Sequence, residues 1–204
     1  MSDDAAEVLR AFNVSRESEQ KLRLFVGLLR EWQGKMNLVS KASMAEVWTR
    51  HVADSLQLLR LMPQSPQVIA DLGSGAGFPG LVLALMGPHT VHLYESIGKK
   101  ANFLREAVQV TGAKAEVHQM RIEDITVPPK VDFVTARALA RRDRRLDLAR
   151  PFLKNGANGL FMKGQDVDEE LTKATKSWRI KSQKHPSLTD SRSVILAVTE
   201  ARRG

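Results

Sequence analysis

Apolar residues Leu22, Leu24, Phe25, Leu28, Leu29 and Trp32 recur three and four positions apart, which predicts one amphipathic helix over 15–36. A second stripe, Met44, Val47, Trp48, Val52, Leu56 and Leu59, predicts another helix over 43–61, with Ser43 and Glu46 spaced as a capping box. Trp32 and Trp48 fall on these stripes and read as core residues. Pro63 and Pro66 end the helical part. From Val68 the pattern changes to short apolar runs separated by helical segments. Strands are expected at 68–70, 91–94, 115–118, 131–135, 159–162, 178–181 and 194–198. Helices are expected at 81–86, 99–111, 143–153 and 166–176. Alternating strands and helices imply βαβ units, and hence an α/β fold with a mostly parallel seven-stranded sheet covered on both faces. No helical pattern separates the last two strands, so an antiparallel pair is expected at one edge. The expected organisation is a helical N-terminal extension, 1–62, and an α/β core, 63–204.

The chemistry concentrates where the first strand ends, in Asp71-Leu72-Gly73-Ser74-Gly75-Ala76-Gly77-Phe78-Pro79-Gly80. A glycine-rich turn between a strand and a helix lets a ligand lie against bare backbone, at the carboxyl end of the sheet where α/β folds bind ligands. Two cofactors compete for it. Gly75-x-Gly77-x-x-Gly80 has the dinucleotide spacing, whose glycines bring a pyrophosphate to a helix N-terminus. Asp71-x-Gly73-x-Gly75-x-Gly77 instead resembles the first motif of S-adenosylmethionine (SAM) methyltransferases. SAM carries an ammonium and a sulfonium, which a strand-end carboxylate attracts; a pyrophosphate it would repel. Glu95, at the end of the second strand, suits the ribose hydroxyls of either cofactor. An NAD-linked oxidoreductase is therefore the alternative enzyme.

Composition changes this picture in three ways. The 204 residues contain no cysteine, which excludes disulfides, thiolate metal sites and cysteine nucleophiles. The acidic start and the lack of a long apolar run lead to the expectation of a cytoplasmic protein without a membrane span. Net charge is +8 and sits mostly in the last third, where residues 141–204 hold 15 basic and 8 acidic side chains. Arg141, Arg142, Arg144 and Arg145 lead this region, followed by Lys173, Lys176, Arg179, Lys181 and Lys184. Such a surface suits a polyanion such as RNA, or else is simply a solvated face.

Several further segments are now informative: Asn37-Leu38-Val39-Ser40, Arg50-His51-Val52-Ala53-Asp54-Ser55-Leu56, Gly98-Lys99-Lys100 with Phe103-Leu104, Arg121-Ile122-Glu123, Ala136-Arg137-Ala138 and Met162-Lys163-Gly164. Together with the glycine turn, their order and spacing over about 37–165 resemble the RsmG (GidB) family. The resemblance implies a Rossmann-like class I SAM methyltransferase core and transfer of a methyl group to N7 of a guanine, nucleotide 527, in 16S ribosomal RNA. It implies SAM contacts at Gly73, Phe78, Ile122, Glu123 and Arg137, to which the turn itself adds Asp71, Gly75 and Gly77, and the end of the second strand adds Glu95. The expected partner is 16S rRNA or the small ribosomal subunit, met by a monomer that uses no metal. RNA contacts are expected at Lys100, Arg137, Lys163 and the arginines at 141, 142, 144 and 145. Arg137 is the leading catalytic or site-organising candidate, its other reading being an ion pair with Asp71 or Glu123. His51 and Asp54 read as a structural pair packed against the cofactor loop.

The chemistry agrees with this family. Attack on pyrimidine C5 needs a thiolate, which this chain lacks. The Asn/Asp-Pro-Pro-aromatic loop common in exocyclic amine methylation is missing after the fourth strand, where Thr135-Ala136-Arg137-Ala138 stands. Guanine N7 presents an unprotonated in-plane lone pair, so its methylation needs alignment and no general base. A ribosome-assembly factor that keeps the fold without turnover is the non-enzymatic alternative.

Overall fold

A computed structural model describes residues 4–137, 145–164 and 178–203. The chain begins with α1 (Ala5–Ala11) and the long α2 (Arg16–Gln33), whose Ser15 cap accepts a hydrogen bond from the Ser18 N–H. Next come α3 (Lys41–Ala45), a π-helical turn at Trp48–Ala53, α4 (Asp54–Leu56) and a 3-10 turn at Gln57–Leu61. The sheet strands are β1 (Val68–Leu72), β2 (Thr90–Tyr94), β3 (Ala115–His118), β4 (Phe133–Arg137), β5 (Asn158–Lys163), β6 (Trp178–Pro186) and β7 (Val194–Arg203). Between them lie α5 (Gly80–Leu85), α6 (Gly98–Thr111) and α7 (Arg145–Lys154). The helix expected at 166–176 lies outside the described residues.

The seven strands form one sheet in the order β3-β2-β1-β4-β5-β7-β6. The first five are parallel, while β7 runs antiparallel to both β5 and β6. The chain leaves β1 toward β2 and β3 and returns on the other side through β4 and β5. The carboxyl ends of β1 and β4 therefore form the switch point at which α/β sheets bind ligands.

Two differences from the sequence expectations have local causes. The second helix is broken and begins earlier, because Ser40 and not Ser43 caps it: the Ser40 hydroxyl accepts from the Ser43 N–H at 3.1 Å. Further on, side chains take carbonyls from the helical ladder. Arg137 donates to the Arg50 carbonyl and Ser55 donates to that of His51, and the helix widens to a π turn there. The fourth strand starts at Phe133 because Asp132 exchanges bonds with Val68 through its backbone N–H and its carboxylate.

A large apolar cluster runs from Val8, Leu22, Phe25 and Leu29 through Val52 and Leu56 into Ile69, Leu81, Leu93, Phe103 and Leu104. The helical layer at 5–61 thus shares its core with one face of the sheet across the expected boundary at 62. Phe25, fully buried, touches both Phe78 and Phe103, and its truncation to alanine removes about 3–5 kcal/mol of stability. The other face packs Leu72, Tyr94, Val134 and Phe161 against Phe152 of α7.

Candidate active site

The glycine turn leaves β1 at the switch point with Gly73, Gly75 and Gly77 at φ of 70°, 55° and 88°, a left-handed region that side chains resist. Its backbone is tied down from within. The Ser74 N–H donates to the Tyr94 carbonyl at 2.9 Å, and the Gly77 N–H donates to that of Ser74 at 2.7 Å. The Gly75 N–H donates to Glu95 Oε2 at 2.9 Å, while Glu95 Oε1 accepts from the Ile97 N–H at 2.8 Å. Two backbone donors therefore fix the Glu95 carboxylate at the end of β2 and leave lone pairs on both oxygens for ligand hydroxyls. A Cβ on Gly75 would meet nothing closer than the Gly73 carbonyl at 3.7 Å, so the backbone there borders open space that a ligand can fill.

Asp71 lies under the turn. It is 1% exposed, pairs in register with Thr135 and accepts from that hydroxyl at 2.8 Å. A Cβ on Gly80 would come within 2.6 Å of Asp71 Cβ and Oδ2, so only glycine allows this approach. Burial raises the Asp71 pKa to about 6 against the opposing bonds from Thr135, Ser74 and Gly80. Its carboxylate braces the turn from below and has no open face toward a ligand ammonium. Phe78 is likewise turned away: its ring, 5% exposed, lies between Phe25 at 5.2 Å and His51, stacked at 4.8 Å. The Phe78–Pro79 peptide is cis.

Arg137, at the end of β4, turns toward the helical layer. Its Nη1 meets His51 Nδ1, Nη2 donates to the Arg50 carbonyl at 2.8 Å, and Nε lies 3.8 Å from Asp54 Oδ2. The ion partner is thus Asp54, and neither Asp71 nor Glu123, the two candidates that sequence order had offered. Asp54 Oδ1 also accepts from Gln57 Nε2 and from Thr189 Oγ1, while the Leu188 N–H donates to Gln57 Oε1. One polar network therefore joins the helical layer, β4 and the β6–β7 turn beside the glycine loop. Within it, burial and the Arg137 and Arg50 cations lower the His51 pKa to about 3, so the ring is neutral and accepts from Arg137. Sequence reasoning paired His51 with Asp54 through helical spacing but could not see Gln57 or Thr189.

The remaining sequence candidates are more scattered. Ile122 is half-buried and Glu123 exposed in the 3-10 turn Ile122–Asp124 that follows β3. Lys100 is half-buried in the first turn of α6. Lys163 closes β5 and Arg145 opens α7, whereas Arg141, Arg142 and Arg144 lie outside the described residues. Ile97, large and exposed beside Glu95, is not singled out by the sequence; its place directly before Gly98-Lys99-Lys100 is the available signal.

An open glycine turn at the switch point, with an anchored carboxylate at the next strand end, fits the SAM methyltransferase arrangement. It does not fit a dinucleotide site, since Glu95 already takes the Gly75 N–H that a pyrophosphate would need. Solved structures bear the fold out. The chain superposes on the ribosomal protein L11 methylase of Lactobacillus delbrueckii subsp. bulgaricus with a TM-score of 0.57 at 18% identity, covering 74% of this chain and 78% of that one. It superposes on a SAM-dependent methyltransferase of Aquifex aeolicus with a TM-score of 0.51 at 18% identity, covering 72% and 89%. Fold and site together define a Rossmann-like, SAM-dependent methyltransferase.

Sequence comparison narrows the class. The family profile described as "GidB: rRNA small subunit methyltransferase G" matches residues 18–196. The ribosomal RNA small subunit methyltransferase G of Rhodospirillum centenum is 48% identical over 201 residues, covering 98% of this chain and 93% of its own length. That of Bradyrhizobium sp. strain BTAi1 is 49% identical over 201 residues, covering 96% and 90%. The chain belongs to the rRNA small subunit methyltransferase G family. Among its described residues, no helix is long and apolar enough to cross a membrane.

Proposed function

We propose that this protein methylates N7 of a guanine in 16S rRNA, nucleotide 527 in the usual numbering, in the cytoplasm and with the small ribosomal subunit or its precursor as partner. The observation that carries the reading is the union of family membership with an open glycine turn whose Gly75 N–H holds Glu95 in place. When bound, SAM supplies an electrophilic methyl group on a sulfonium. Gly73 and Gly75 are suited to line its methionine part, because a backbone without Cβ permits close approach, whereas a Cβ on Gly77 would point inward at Phe25, Leu81 and Leu104, so Gly77 shapes the turn from within. Glu95 is suited to accept from the ribose hydroxyls, and Ile122 and Glu123 to border the adenine. The protein's task is to exclude water and hold the purine nitrogen in line, since that nitrogen needs no proton removed.

Arg137 serves in this reading as a positioning residue. All three of its guanidinium nitrogens face His51, Arg50 or Asp54, so it fixes the end of β4 relative to the glycine turn. Lys100, Lys163 and the basic stretch 141–145 would meet RNA phosphates, which carry position and not sequence. Arg179 and Lys181, exposed on edge strand β6, are two further cations available to a polyanion.

The test is transfer of tritiated methyl from SAM to small subunits purified from cells lacking the protein, followed by mass mapping of the 16S rRNA. One methyl group per particle is expected, on a guanine whose glycosidic bond becomes labile after reduction. Label at another atom, or tight SAM binding without transfer, would overturn the proposal, the latter in favour of an assembly factor.

A further inference from the structure

On the α7 face of the sheet, away from the glycine turn's helical cover, β2 and β3 bring together three side chains that the methyl-transfer reading does not use. The parallel register sets His92 opposite Glu116 and Tyr94 opposite His118. Alternation along each strand then places all four on one face. His92 Nδ1 lies 2.9 Å from His118 Nε2, and Glu116 Oε2 lies 3.6 Å from the first nitrogen and 3.9 Å from the second. The point equidistant from these three atoms in their own plane is about 2.0 Å from each, the bond length of Zn²⁺ to histidine nitrogen and carboxylate oxygen; tetrahedral binding sets ligand atoms about 3.3 Å apart, so the two nitrogens separate and Glu116 closes by a few tenths of an ångström.

We infer that His92, Glu116 and His118 form a binding site for a divalent transition-metal ion, Zn²⁺ by its donor set. Two imidazoles, which are borderline donors, outnumber the one hard carboxylate and suit zinc over the hard ions magnesium and calcium. The histidines are presented firmly. The His118 ring stacks on Tyr94 at 4.7 Å and 18°, and Tyr94 in turn meets Phe152 edge-on. Glu116 is the adaptable member at 67% exposure, and its side leaves the fourth position to water. Without an ion, the two facing nitrogens share one proton. On binding, each ring carries its proton on the nitrogen turned away from the metal, with no change of oxidation state.

The ion would brace the cofactor end of the sheet. β3 is one of the sheet's two edge strands, and the His118 carbonyl accepts from the Glu95 N–H at 3.0 Å. Fixing His118 to His92 thus fixes the backbone that carries the ribose carboxylate. Sequence reasoning expects no metal, from the absence of cysteine and of a second histidine near His51; Glu116 and His118 lie 24 and 26 positions beyond His92 and meet it only through parallel pairing.

The experiment uses the untagged full-length chain, stripped with chelator and titrated with Zn²⁺ against a chromophoric competitor, with Co²⁺ absorption as a coordination signature. One equivalent per chain and an intense tetrahedral Co²⁺ band are expected. Glu116→Gln, on the surface, should weaken Zn²⁺ at least tenfold, and His92→Gln should abolish the band, with circular dichroism confirming the fold of each. No stoichiometric binding by the folded wild type, or equal affinity in both variants, overturns the site. Neither result bears on methyl transfer, which is measured separately.

Discussion

Two buried titratable groups grip the glycine turn from opposite sides, and burial perturbs them in opposite directions. Below it, desolvation raises Asp71 to about 6; above it, desolvation, with help from Arg137 and Arg50, lowers His51 to about 3. Both shifts favour the neutral form, as burial must. The difference lies in the neighbours. Asp71 keeps hydrogen-bond donors, so it still ionises near neutral pH within the sheet. His51 faces permanent cations and stays uncharged, serving as acceptor to Arg137 and as a flat surface for Phe78. The turn is therefore seated on an anion and capped by a neutral ring, with the positive charge of Arg137 turned toward Asp54.

The comparison predicts compensating pH effects. His51 gains a proton near 6.5 when unfolded but only near 3 when folded, so its stability contribution is full above 6.5 and is lost as pH falls toward 3. That loss is about 4–5 kcal/mol, the largest single effect expected here. Asp71 has the opposite sign. Its contribution is full below 3.8 and lost as pH rises through about 6, some 3 kcal/mol in all. Between pH 4 and 6 the two slopes cancel. His51→Gln should therefore expose the Asp71 slope, with stability relative to wild type falling as pH rises across that window. Asp71→Asn should do the reverse, and should stabilise the protein at pH 7 by about 2–3 kcal/mol if the Thr135 bond is kept. Denaturant midpoints at a constant m-value, measured every half unit of pH, decide both. Parallel curves for all three proteins would refute the assignment of these pKa shifts.

Much of this arrangement is legible in the sequence wherever the determinants are close along the chain. The glycine turn, its leading acid and Glu95 fall within 25 residues and keep their places in the fold. The seven strands also emerge in order, because a buried parallel strand is a short apolar run bounded by turns. Contacts between distant segments could not be read this way. Arg137 finds Asp54 only after the sheet brings β4 beside β1 and the helical layer covers both. The break in the second helix likewise depends on Arg137 taking the Arg50 carbonyl, which no periodicity at 43–61 reveals. Motif position alone assigns Phe78 and Asp71 to the cofactor. A motif gives the backbone's place but not the direction of a side chain, and both side chains point into the protein.

The two sides can be separated most finely at the glycines themselves. Gly80 and Gly75 are five residues apart in one turn, yet glycine is needed at each for a different reason. At Gly80, a methyl group would lie 2.6 Å from buried atoms of Asp71 and Leu93, so Gly80→Ala must displace α5 from the sheet and should reduce stability by about 2–3 kcal/mol. At Gly75 the space is open and only the φ of 55° resists a side chain, so Gly75→Ala should reduce stability by about 1 kcal/mol. Ligand binding should reverse that order of severity. Gly75→Ala puts its methyl group into the space a cofactor would fill, while Gly80→Ala acts from beneath the turn. Calorimetric titration with SAM beside thermal unfolding reads both quantities. A Gly75→Ala protein that binds SAM as wild type does would show that the open side of the turn is not the cofactor's side.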